Sequence, residues 1–265
     1  IKQDYGRFKV FPGSSFSGFK KCFKKVIWEE ISVRWKTTVL TLDFTSLHCG
    51  IAFGLLTQKF PNKKFESLER ALNGNVWQIS IQQIQDESPR VVEIFQDELK
   101  PTLKRFFYKA LNGGSVSAAG IDAILPDFLQ TEEYKKDHKL IFDSFLRLAI
   151  CNDLKAFQEF VKDVPGKQLY LPTSLNKTNG DRKAPSRIFA GCEAIILSEL
   201  VIELTRYGLG IPLAFEHDGL VIITDSPEKI LERPSWRCEK VGLELYGYES
   251  KLAFEVLATP GAVME

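Results

Sequence analysis

The apolar and polar positions alternate between helical and strand periods along the chain. "TTVLTLDF", residues 37–44, alternates and is rich in Thr and Val, which predicts a strand with Asp43 near its end. "SLHCGIAFGLLTQKF" follows at once and predicts a helix with Ser46 as its cap. Residues 63–110 carry helical spacing in three segments: "KKFESLERAL", "VWQISIQQIQ" and "PRVVEIFQDELKPTLKRFFYKAL". Asn73-Gly74 divides the first from the second, and Pro89 starts the third. After the small-residue stretch "NGGSVSAAG", residues 127–163 are again helical, charged outside and Phe/Leu/Ile inside. Residues 165–187 read as a long polar loop, a length usually tied to function. Residues 187–208 form the longest apolar-rich helix, ended by Gly208 as a C-cap. "IPLAF" and "LVIIT" then flank Glu216-His217-Asp218-Gly219, which predicts a hairpin. The tail, 227–257, reads as a short helix from Pro227 and two further strands in "VGLELYGY" and "LAFEVL".

Composition narrows the classes. An apolar fraction of 44% suits a globular protein with a proper core, and a net charge of +1 excludes a global basic field. A nucleic-acid surface must therefore be local. Residues 1–37 offer one: Lys2, Arg7, Lys9, Lys20, Lys21, Lys24, Lys25, Arg34 and Lys36 interleave with Phe8, Phe11, Phe16, Phe19 and Phe23. That mixture suits phosphate contact with base stacking, or equally an amphipathic segment whose Lys stems cover core. The cysteines are five, widely spaced and without a CxxC pair, which argues against a zinc site or disulfide framework and for a reducing compartment. There is no signal peptide and no long uncharged apolar run, so no membrane is expected. The first residue is Ile and the single methionine is Met264, so a segment of a longer chain is expected.

Two side-chain sets could carry chemistry. Asp43 and Asp218 each follow an apolar run and sit at an exposed point of a strand. Two carboxylates on adjacent strands can hold two divalent ions about 3.5–4 Å apart. Mg²⁺ needs only one or two carboxylates and takes the rest of its shell from water and phosphates. Arg105 and Lys109, in "RFFYKALNGG", are i and i+4 on one helical face and could clamp a triphosphate. Asn112-Gly113-Gly114 next to them removes side-chain bulk. Taken singly, the first set is one acidic pair among many and the second is a solvated basic stripe.

The order of these motifs resembles the palm and fingers of family A DNA polymerases and, less closely, the related single-subunit phage RNA polymerases. "LDFTSLHCGIA" is similar to the family's first motif, "RFFYKALNGG" to its second and "AFEHDGLVI" to its third. The resemblance implies an α+β fold: a right-hand polymerase palm, an antiparallel sheet with helices, and a largely helical fingers subdomain. It divides the chain into 1–60, a basic segment with the first part of the palm; 61–185, fingers; and 186–265, the second part of the palm with the catalytic hairpin. It implies a template-directed nucleotidyltransferase, a DNA-dependent DNA polymerase core acting on DNA primer-template and deoxynucleoside triphosphates with other replication proteins. Two Mg²⁺ ions, with Mn²⁺ as the alternative, would sit on Asp43, Asp218 and Phe44. Arg105, Lys109 and His48 would meet the nucleotide. Arg7, Lys20, Arg187 and His217 would meet nucleic acid, and Glu193 is a further match. The expected location is cytoplasmic, in a bacterium or encoded by a phage or plasmid, with an organelle also open. The family's thumb and proofreading domains would precede Arg7.

The chain departs from the pattern at three points. His48 stands where the family has Glu, Gly219 where an acidic residue usually follows His-Asp, and the aromatic of the second motif is missing. A primase or RNA polymerase of the same architecture, an inactive nucleic-acid-binding module and a His-Asp metal phosphohydrolase stay open as alternatives.

Overall fold

The computed structural model describes residues 2–4, 7–9, 21–117, 121, 132–163, 184–216 and 219–261. The elements in chain order are β1 (Lys2–Asp4), β2 (Arg7–Lys9), α1 (Lys21–Trp35), β3 (Thr38–Phe44), α2 (Leu47–Lys59), α3 (Glu66–Leu72), α4 (Val76–Glu87), α5 (Pro89–Phe95), a 3₁₀ turn (Gln96–Glu98) and α6 (Leu99–Leu111). They continue with α7 (Glu132–Leu146), α8 (Ile150–Asp163), α9 (Ala184–Arg206), β4 (Ile211–Glu216), β5 (Gly219–Thr224), α10 (Pro227–Leu231), α11 (Arg237–Tyr246) and β6 (Leu252–Ala258). These fall into two compact units, residues 1–47 with 190–265, and residues 48–189.

The first unit is built on a four-stranded antiparallel sheet in the order β4-β5-β3-β6. The apolar run of β5 is buried at every residue, as expected of a strand covered on both faces. Trp28 of α1 packs with Val39, Val221, Ile223 and Ala258, joined by Ile27 and Ile31. These are positions i, i+1 and i+4 of the helix, so one face of α1 lies on one face of the sheet. At the end of β3 the alternation sharpens. Leu42 and Phe44 are buried and Asp43 is exposed. β1 and β2 form a separate antiparallel pair with Asp4 opposite Arg7.

The second unit is helical. The Phe145 ring meets those of Phe95 and Phe106 at 5.9 and 5.8 Å between centroids, and Trp77 meets Phe107 edge-on at 5.2 Å. α6 buries Leu99, Leu103, Phe106, Phe107, Ala110 and Leu111 and turns Arg105 and Lys109 outward, the 3.6-residue period read from the sequence. α8 ties two other helices by their ends. The Asp153 carboxylate accepts the first-turn amides of Ser67 and Leu68 at 3.0 and 3.2 Å, which caps α3 from a distant part of the chain.

Several sequence expectations are corrected. The segment from Pro89 is not one helix. Gln96, at φ +46°, ends α5, and a 3₁₀ turn leads into α6. Pro101 explains the break, since it cannot donate to the carbonyl four residues back and its ring would clash there. Residues 147–149 likewise interrupt the helix expected over 127–163. "VGLELYGY" is not a strand; its residues 241–246 form the end of α11. Glu239 decides this by accepting the Trp236 amide at 3.0 Å and the Leu252 amide at 3.1 Å, and Gly247, at φ +79°, closes the helix. Ser46 has φ +53°, not the extended backbone of a side-chain cap. α9 begins at Ala184, inside the expected loop, and the remainder of that loop lies outside the described residues. Gly208 does follow the helix in the left-handed region, with the Leu209 amide returning to the Leu204 carbonyl at 2.9 Å. Among the described residues no helix is long and apolar enough to cross a membrane.

Candidate active site

In the first unit the site begins with strand register. β3 runs antiparallel to β5 from Thr38 opposite Thr224 to Asp43 opposite Gly219. On its other side Asp43 pairs with Ala253 of β6. β4 pairs with β5 through Glu216 opposite Gly219, so only His217 and Asp218 connect the two strands. Those two residues lie outside the described residues, and Gly219 is bonded directly to Asp218.

Gly219 shows how closely the two strands meet here. A Cβ on Gly219 would lie 2.8 Å from the Leu42 carbonyl oxygen and 3.0 Å from Asp43 Oδ1. Only glycine leaves that space beside the carboxylate. The glycine at this position thus has a local reason in the packing. The apolar runs fix the backbone, Leu42 and Phe44 anchor the strand inward, and Asp43 faces outward. The Phe44 side chain is buried, so only its main-chain carbonyl could act as a ligand. Among the described residues there is no group of three or more His, Cys, Asp or Glu side chains that could hold a metal. The Asp43 carboxylate and the Phe44 carbonyl are hard oxygen donors, the kind a divalent cation such as Mg²⁺ takes together with water and phosphate. Glu193 is buried in α9.

In the second unit α6 presents Arg105 and Lys109 on one exposed face. Arg105 Nη2 donates to Thr102 Oγ1 at 3.2 Å and lies 3.7 Å from Glu98 Oε2. An anion arriving at Arg105 would compete with Glu98 for it. The helix ends just past Lys109. The Gly114 amide donates to the Lys109 carbonyl at 2.8 Å, and Gly113 takes φ +97°. Gln158 Nε2, from α8, donates to the Ala110 carbonyl at 2.6 Å and the Gly114 carbonyl at 2.7 Å. His48 is half-buried, its ring stacked on Phe189 at 4.5 Å, and Phe189 stacks on Phe157 at 5.5 Å. Arg187 is half-buried in the first turn of α9. Arg7 lies in β2, and Lys20 is outside the described residues.

Sequence reasoning missed Glu98, Gln158 and the packing role of Gly219. Glu98 could have been found, being seven residues, about two helical turns, before Arg105. Gln158 carried no signal, because its partners lie far away along the chain.

No protein-family model matches this chain, and no curated protein matches it. Among solved structures it is similar to the POL domain of Pol1 from M. smegmatis, in complex with DNA primer-template and dNTP. The identity is 14% and the TM-score 0.57, over 95% of this chain and 45% of that one. The chain thus spans less than half the length of that polymerase chain. The likeness is one of fold: a mixed α/β chain with a four-stranded antiparallel sheet, arranged like a polymerase domain.

Proposed function

We propose that this chain is the catalytic core of a template-directed nucleotidyltransferase, a DNA polymerase that extends a DNA primer on a template with deoxynucleoside triphosphates. The first unit would be the palm and the second the fingers. The observation that carries the reading is the pairing of Asp43 with Gly219 within a polymerase-like fold. Covalent geometry keeps the Asp218 Cα about 3.8 Å from that of Gly219. On this reading Asp218, the neighbour of Gly219 in the chain, therefore meets Asp43 across this strand pair.

Asp43, Asp218 and the Phe44 carbonyl would hold two Mg²⁺ ions, or Mn²⁺, and the bound ions would acidify the primer 3′-hydroxyl and offset charge on the departing pyrophosphate. The protein's own part is to fix the donors before substrate arrives. β3, paired with β5 on one side and β6 on the other, would hold Asp43 at an exposed point of the sheet, where water can reach its charge before substrate binds. Arg105 and Lys109 would bind the triphosphate, and Arg105 would exchange Glu98 for a phosphate oxygen. Arg7, Lys20, Arg187 and His217 would hold primer or template.

A primase or RNA polymerase of the same fold is the second reading, favoured by His48. The family's acidic gate against ribose is absent, and an imidazole stacked on Phe189 takes its place in the sequence. Comparison of deoxyribonucleotide with ribonucleotide incorporation separates the two.

Primer extension with and without Mg²⁺ tests the assignment. Asp43→Asn should lower extension by about 10³-fold or more while the melting temperature holds, as expected when charge stabilisation at the reacting centre is removed. Lys109→Ala should raise the nucleotide KM and leave primer-template affinity nearly unchanged. Extension by Asp43→Asn at the wild-type rate would remove the basis of the assignment.

A further inference from the structure

We infer that Gln158 is a positioning residue for Lys109; the inference rests on the reading of Lys109 as a triphosphate ligand. Lys109 sits in the last turn of α6, where the backbone carbonyls lack helical partners. The chain turns back immediately after it. A Cβ on Gly114 would fall 2.7 Å from the Lys109 carbonyl oxygen and 2.8 Å from Lys109 Cγ. The returning backbone therefore lies against the stem of the lysine side chain, in a space that only glycine leaves.

Gln158 fixes that return. Its amide nitrogen has two hydrogens and spans two carbonyls, Ala110 inside the helix and Gly114 beyond it. The bridge thus spans the Gly113 kink at φ +97°. Two glycines in succession have a broad choice of conformations, and the two hydrogen bonds select one. The contact runs from Gln158 to the Gly114 backbone and from there to the Lys109 stem. Gln158 has no need to reach a substrate. By limiting the rotamers of Lys109 it lowers the entropy lost when the ammonium meets a phosphate.

The chemistry at this point calls for a donor. Gln158→Met keeps the length and removes both N–H groups. Gln158→Glu turns acceptor oxygens toward two carbonyls. Gln158→Lys keeps a multiple donor, and its charge suits the negative end of a helix. Steady-state primer extension is measured for each, beside primer-template affinity, melting temperature and hydrogen exchange at the Gly113 and Gly114 amides. Gln158→Met and Gln158→Glu should raise the nucleotide KM and speed exchange at Gly114 by roughly 5- to 30-fold, as expected for one or two lost hydrogen bonds. Primer-template affinity should stay within about two-fold. Gln158→Lys should restore both values, and in the Lys109→Ala background Gln158→Met should no longer change KM. A KM that stays at wild type in Gln158→Met, or a loss that persists unchanged without Lys109, overturns the inference. If the wild-type protein extends no primer, the polymerase reading fails separately. Gly114 exchange and the acetylation rate of the Lys109 amine then decide the positioning role, and no change in either for Gln158→Met overturns it.

Discussion

Gly219→Ala is the perturbation that separates the stability of the sheet from the placement of Asp43. The new methyl would lie 2.8 Å from the Leu42 carbonyl oxygen, about 0.6 Å inside ordinary contact, and 3.0 Å from Asp43 Oδ1. Backbone cannot yield as a side-chain tip can, so β3 and β5 must part locally. Overpacking of this kind costs about 1–3 kcal/mol, and the reduced freedom of alanine in the unfolded chain returns a few tenths to 1 kcal/mol. The net loss should lower the melting temperature by about 2–8 °C. Gly210→Ala supplies a matched control. Its Cβ would meet the Ile223 carbonyl oxygen at the same 2.8 Å, but at the opposite end of the sheet. Both variants should therefore lose similar stability. Only Gly219→Ala should displace the Asp43 carboxylate, and if that carboxylate is catalytic as proposed, a shift of about half an ångström should cost about 10-fold in rate. The assay is Mg²⁺-dependent primer extension under single-turnover conditions, below both melting temperatures. Equal rates for the two variants, or a wild-type rate for Gly219→Ala with a lowered melting temperature, would refute the argument that this glycine sets the position of Asp43.

Other expectations follow from groups outside the site. Asp153→Ala should cost about 1–2 kcal/mol through the lost cap on α3, whereas Asp153→Asn, which keeps an acceptor for Ser67 and Leu68, should cost less than 1; denaturant titration distinguishes them. Burial raises the Asp153 pKa above the ordinary carboxylate value, against the two amide hydrogen bonds that lower it. The folded state thus binds this proton more tightly, so the group's stabilisation is complete below the unfolded pKa of about 3.9 and is lost as pH rises through the folded value. The stability of the wild type relative to Asp153→Asn should accordingly decline as pH rises from 4 and then level off; a relative stability that rises over that range contradicts the assignment. Glu203 is buried, accepts Arg233 Nη2 at 2.9 Å and the Cys238 amide at 3.2 Å, and Glu203→Ala should destabilise by about 2–4 kcal/mol because both donors lose their partner. Burial pushes the thiols of Cys49, Cys151 and Cys192 up to about 12 and that of Cys238 higher still, so alkylation at pH 8 should label these four only as the protein unfolds.

The elements nearest the proposed chemistry were legible because local patterns produce them. The Thr/Val alternation of residues 38–44 makes β3, the paired apolar runs make the β4–β5 hairpin, and the 3.6-residue period of α6 sets Arg105 beside Lys109. Each depends on neighbours within one or two turns of chain. Where that condition fails, the reading failed too. "VGLELYGY" has the composition of a strand, yet α11 forms because Glu239 finds the Leu252 amide, a partner outside the segment. The break before α6 was written in Pro101, although the helical spacing on both sides of it reads as one segment.

By itself, then, the sequence determined which segments could be helix or strand, which faces were apolar, and which acidic and basic residues stood at element ends. Tertiary structure alone decided that Asp43 lies opposite Gly219, that Asp153 caps α3 and that Gln158 spans the end of α6. The physical reason is the same in each case. A periodic pattern specifies a face, whereas a register or a side-chain bridge depends on a partner brought near only when the whole unit has packed.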